Sequence, residues 1–66
     1  MGPMIAGPVT CVYQAYEEGA LVATGRLTLD ELPREGEELR LNGRVHVVRE
    51  VAYSGGSHVI SLEPRA

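Results

Sequence analysis

Glycine-bearing turns cut this chain into pieces that suit strands rather than helices. Glu17-Glu18-Gly19, Gly36, Asn42-Gly43 and Ser54-Gly55-Gly56-Ser57 separate runs of five to ten residues rich in Val, Thr and Tyr. No helical periodicity of useful length runs through them, and β-branched and aromatic residues fit a pleated sheet. The turns therefore predict an all-β chain of five short strands.

Two turns also set registers. A three-residue loop at Glu17-Glu18-Gly19 pairs Tyr16 with Ala20, Ala15 with Leu21, Tyr13 with Ala23, Cys11 with Gly25 and Val9 with Leu27. Residues directly opposite share a face, so the pairs from Ala15–Leu21 to Val9–Leu27 form the core side, and Ala20 lies with Tyr16 on the other. Thr10, Val12, Gln14, Tyr16, Val22, Thr24 and Arg26 then fall outside. Asn42-Gly43 is the strongest short hairpin signal in the chain. It pairs Leu41 with Arg44 and Leu39 with His46, and it turns Val45 and Val47 away from the core, opposite Arg40 and Glu38.

Beyond Val48 simple alternation fails. One extra residue at Arg49-Glu50 returns His46, Val48, Val51 and Tyr53 to a common side, which is the mark of a β-bulge. Tyr53 then faces His58 and Val51 faces Ile60, and the same pairing is expected to set His46 opposite Arg65. Pro64 ends the last strand. Five strands in meander order, with one bulge and one polar connection at residues 30–36, describe a small curled barrel. The expected closure is SH3-like, with a partly open OB-like barrel as the competing arrangement.

The stretch Leu32-Pro33-Arg34-Glu35-Gly36-Glu37, followed by Leu39, Leu41, Asn42-Gly43-Arg44, His46, Val48 and Val51, resembles a pattern in short bacterial SH3-like small β-barrel proteins. There a Pro-x-x-Gly-Glu run precedes a strand, a Gly turn and an aromatic-x-Val strand. His46 departs from the pattern, standing where an aromatic residue is usual. The resemblance covers about half the chain. It implies a fold and no activity.

The 66 residues allow one domain, expected over 9–64 behind a flexible lead-in at 1–8. A chain this short buries only about 60% of its unfolded surface and usually needs help from disulfides, a metal or a partner. Cys11 is the single cysteine, so no disulfide forms within the chain and no Cys-rich zinc site is available. The first residues lack a basic region followed by an apolar stretch, so no signal peptide is expected. No apolar run is long enough for a membrane helix. A free thiol without a leader suits a reducing cytoplasm.

The chemistry-bearing residues read blandly. Cys11 lies mid-strand on the core face, where a small buried hydrophobe is the ordinary role. His46 shares the face of Leu39 and Val48, and His58 flanks the glycine turn, too far from His46 to share a metal. Asp30, Glu31, Glu35, Glu37 and Glu38 lack the alternating carboxylates of a calcium loop and are interrupted by Arg34 and Arg40. Ser54-Gly55-Gly56-Ser57 joins two strands with no helix behind it, unlike a phosphate cradle. No catalytic residue, cofactor, metal site or small-molecule substrate is therefore expected.

Two non-catalytic readings remain. Val12, Val22, Val45 and Val47 point away from the expected core, and an apolar patch on a small domain marks a contact surface for a second copy or a protein partner. The alternative is RNA or single-stranded DNA binding through Tyr16, Arg26 and Arg40. Six Lys plus Arg against nine Asp plus Glu give a net charge of −3, which counts against that alternative. The leading expectation is a non-catalytic protein-interaction or self-association module.

Overall fold

A computed structural model describes residues 8–65, so all of the expected lead-in at 1–8 except Pro8 lies outside the described residues. Five strands follow one another: β1 (Val9–Glu17), β2 (Ala20–Leu29), β3 (Glu38–Leu41), β4 (Arg44–Ser54) and β5 (Ser57–Pro64). They form one mixed sheet that curls through 204° into a half-barrel, without helices among the described residues. All three hairpins turn through two residues with positive φ: Glu18-Gly19, Asn42-Gly43 and Gly55-Gly56. Paired left-handed residues twist the chain in the sense that matches the flanking strands, which explains the recurrence.

The strand order is β2-β1-β5-β4-β3, so the two hairpin systems do not meet through consecutive strands β2 and β3 as a meander requires. They meet through β1 and β5, which run parallel, with Cys11 beside His58, Tyr13 beside Ile60 and Ala15 beside Leu62. This seam places the most apolar inward positions of both halves side by side. Cys11, Val48, Ile60 and Leu62 are almost wholly buried, and Val9, Tyr13, Leu27, Leu29, Leu32, Leu39 and Val51 pack around the cluster. Residues 30–37 carry the chain from one edge of the sheet to the other. Leu32 packs against the core and Pro33 is buried, so this connection contributes packing as well as length.

The β3–β4 pairing agrees with the sequence reading, from Leu41 with Arg44 to Glu38 with Val47. β3 begins at Glu38. Glu37 still joins the ladder, because Val48 donates its N–H to the Glu37 carbonyl at 2.8 Å. The expected irregularity at Arg49-Glu50 is present between Val48 and Glu50, with Val51 against Ile60 and Tyr53 against His58. His46 faces Pro64 rather than Arg65, because the bulge consumes one residue of β4 before the ladder resumes.

The first hairpin differs more. Its turn is Glu18-Gly19, so Glu17 rather than Tyr16 faces Ala20, and a second bulge lies where Tyr16 faces Leu21 while Ala15 faces Ala23. Val22 is the extra residue. Tightening the turn moves the register by one, and the bulge moves it by one more. Beyond the bulge the total is even, so Ala23, Gly25, Leu27 and Leu29 remain on the core face. Cys11 faces Leu27, and Tyr13 faces Gly25. On the turn side of the bulge, Ala20 and Leu21 exchange their expected faces, and Val22 is left without a partner on β1.

Candidate functional site

The two edges of the half-barrel are β2 and β3, and they are built differently. β3 has four residues, two of them charged, and Glu38 accepts bonds from the Arg65 guanidinium at 3.2 Å. β2 has ten residues, Ala20-Leu-Val-Ala-Thr-Gly-Arg-Leu-Thr-Leu29, with Arg26 as its single charge. Its first five residues are all exposed, and Leu21 and Val22 are more than half so. Edge strands are ordinarily blunted by shortness, charge or proline, because their free N–H and C=O groups are a template for another strand. β3 has such protection and β2 largely lacks it.

The glycine in the middle of β2 has a specific cause. A Cβ at Gly25 would lie 2.8 Å from Cε2 and 2.9 Å from the hydroxyl of Tyr13, whose ring covers that position. The ring replaces the missing side chain on the core side. Thr24, exposed on the opposite face, ties the pair of strands by donating its hydroxyl to the Tyr13 carbonyl at 2.9 Å.

Between the two edges lies a hollow of about 190 Å³, lined by Ala15, Val22, Ala23, Leu41, Arg44 and His46 among others. The Val22 bulge turns that side chain into this hollow, whereas the plain alternation expected from sequence sends it outside. The tips of the first two hairpins are clipped across the mouth by Glu17 and Arg44, 2.8 Å apart. His46 is buried at the back, and its Nδ1 donates to the Arg44 carbonyl at 3.1 Å. Among the described residues no buried side-chain nitrogen or oxygen lacks a hydrogen-bond partner.

The four valines expected to form one contact patch are dispersed. Val12 lies on the convex face beside Val59, which in turn lies beside Ala52. Val47 sits between Glu63 and Glu38, each held in an ion pair, with Arg49 at 3.5 Å and with Arg65 at 3.2 Å. Val45 faces Arg40 and is half-buried, as Val12 and Val47 are. Val22 belongs to the hollow. Leu21 and Val22 are both exposed on β2, and the outward turn of Leu21 has no signal in hydrophobic alternation.

The residues considered for nucleic acid also separate. Arg26 is on β2 and Arg40 on β3, at opposite edges of the sheet. Tyr16 is half-buried, with its hydroxyl donating to Gln14 at 3.3 Å.

One juxtaposition was invisible in the sequence. The parallel seam sets Cys11 beside His58, a pairing that depends on contact between distant strands. It does not produce an activated thiol. Cys11 is fully buried, and burial pushes its pKa up, the reverse of the lowered pKa of a reactive cysteine. The His58 ring instead meets Tyr53 edge-on, with centroids 4.9 Å apart. Among the described residues no three His, Cys, Asp or Glu side chains gather as a metal site. In the acidic connection, Glu37 accepts the Arg34 N–H at 2.8 Å and so closes its own turn. No helix among the described residues is long and apolar enough to cross a membrane.

Fold and edges together define a class, the small all-β half-barrel with one blunted and one open edge. No family model, curated protein or solved structure matches the chain.

Proposed function

We propose that this chain is a non-catalytic module that acts by contact with protein, including a second copy of itself. The observation that carries this reading is the β2 edge: ten residues, one charge, and exposed Leu21 and Val22. A half-barrel of this size has a small core, and pairing of its open edge would add both hydrogen bonds and apolar burial. A cytoplasmic location, in a bacterium, belongs to the same reading, since the one thiol is free and buried.

Sedimentation equilibrium over micromolar to millimolar concentration tests the self-association form of the proposal. A mass that rises with concentration toward a discrete oligomer supports it. A monomer at every concentration rejects self-association.

A further inference from the structure

We infer that the hollow between the two edges binds a small neutral molecule, a single six-membered ring carrying a hydroxyl, which donates to Nε2 of His46. Such a site goes beyond contact with protein and does not depend on it.

His46 is 6% exposed, and its Nδ1 is bonded to the Arg44 carbonyl. A carbonyl can only accept, so the proton of the neutral ring sits on Nδ1 and Nε2 keeps its lone pair. Among the described residues no group hydrogen-bonds Nε2, and no enclosed side-chain nitrogen lacks a partner. Nε2 is therefore open to the space that the ring lines, which is the hollow. A ring anchored at one nitrogen and open at the other presents a fixed acceptor in a nearly buried place. An acceptor so placed calls for a donor.

The walls decide what can carry that donor. Ala15, Val22, Ala23 and Leu41 give the hollow an apolar lining. Its volume of about 190 Å³ is somewhat more than the roughly 150 Å³ that holds a benzene ring in an apolar protein cavity. The excess suits a hydroxyl and leaves no room for a second ring. Charge at the mouth is already matched, since Glu17 and Arg44 bond each other at 2.8 Å. Neither is left over to draw in an ion, so a neutral ligand fits better than a carboxylate or an amine. Two other clefts, one lined by Glu18 and Glu63 and one by Asp30, Glu31 and Glu37 among others, are acidic and hold no buried polar side chain to fix a ligand.

Phenol and toluene have nearly the same shape and differ in the hydroxyl, so together they read the role of Nε2. Both are titrated into the isotope-labelled chain and followed by NMR, with benzoate as the anionic control. A ligand this small is expected to bind at roughly millimolar concentration. Phenol should shift Ala15, Ala23, Leu41 and His46, and should bind roughly tenfold more tightly than toluene. Toluene expels water from Nε2 and leaves the acceptor bare. The Nε2 resonance should move with phenol and stay with toluene. His46→Phe removes the acceptor, so the preference for phenol should vanish or reverse. Val22→Phe fills the hollow from a position that is 55% exposed, so the fold should tolerate it while phenol binding is lost.

A phenol preference with shifts at the hollow and a moving Nε2 resonance supports the site, even if His46→Phe fails to fold. Equal binding of toluene, or tighter binding of benzoate, overturns the recognition of a hydroxyl by His46. Shifts confined to another part of the surface, or none with millimolar phenol, overturn the site itself. Sedimentation of the unliganded chain is independent of all these results, so contact with protein stands or falls separately.

Discussion

β2 and β3 end the same sheet, yet they meet solvent on different terms. β3 is four residues long, carries Glu38 and Arg40, and is fastened through Arg65 and the backbone of residues 36–37 to β4 and its surroundings. β2 is more than twice as long, carries one charge and leaves its first five residues exposed. The shorter strand is nonetheless the better packed at its end, because Leu41 is only 8% exposed while Leu21 is 52% exposed. Strand length therefore does not measure how firmly an edge is held. Inward burial does, and the two edges should respond to substitution accordingly.

The largest expected effect comes from cutting the same side chain on each edge. Leu41→Ala should cost about 3 kcal/mol, the usual loss for a buried leucine, because the surrounding core cannot close the space. Leu21→Ala should cost no more than about 0.5 kcal/mol in the monomer, as for other surface positions. Urea unfolding of both variants below the association range measures the difference. Equal losses would mean that the edges are held alike and that the contrast drawn from burial is wrong.

Much of this contrast was legible in the sequence, and the missing part has a local cause. Asn42-Gly43 announces its turn, since both residues accept positive φ readily, and the whole β3–β4 register follows from it. The bulge at Arg49-Glu50 shows because Val51 and Tyr53 fall out of step with Val48. Glu18-Gly19 is a weaker signal, because Glu seldom adopts the left-handed conformation that it takes at φ 54°. The bulge at Val22 is silent, because Leu21, Val22 and Ala23 are all apolar and no alternation is broken. The two shifts in the first hairpin sum to an even one, so the core residues beyond the bulge keep the faces that the pattern predicts, whereas Ala20 and Leu21 exchange theirs. The parallel β1–β5 seam and the Cys11–His58 neighbourhood are long-range pairings that no local pattern encodes.

A middle-sized effect should appear at the centre of the open edge. Gly25→Ala places a methyl group within 2.8 Å of the Tyr13 ring, so the ring or the strand must move. The expected loss is about 2 kcal/mol, in the range for overfilling a packed site. Tyr13→Ala in the same chain should remove most of that penalty, since the obstructing ring is gone. A double-mutant cycle on urea midpoints reads the coupling. Additive losses would show that Gly25 is needed for its backbone rather than for the ring above it.

The smallest expected effect is a pH dependence that belongs to the β2 side alone. Cys11 faces Leu27 of β2 and lies beside His58 of β5, and burial raises its pKa. Above the ordinary thiol value of about 8.5 the unfolded chain loses the proton while the native chain keeps it. The native state then binds more protons, so stability falls as pH rises from that value through the native pKa and is unaffected below it. Thermal unfolding between about pH 7 and 9.5 should show this decline, starting near the ordinary thiol value and short of general tyrosine ionisation near 10. Cys11→Ala should be less stable at neutral pH but flatter across the same interval. A wild-type melting temperature as flat as that of the variant would show that the thiol under the open edge is solvated, and β2 would then be looser than its packing against Cys11 implies.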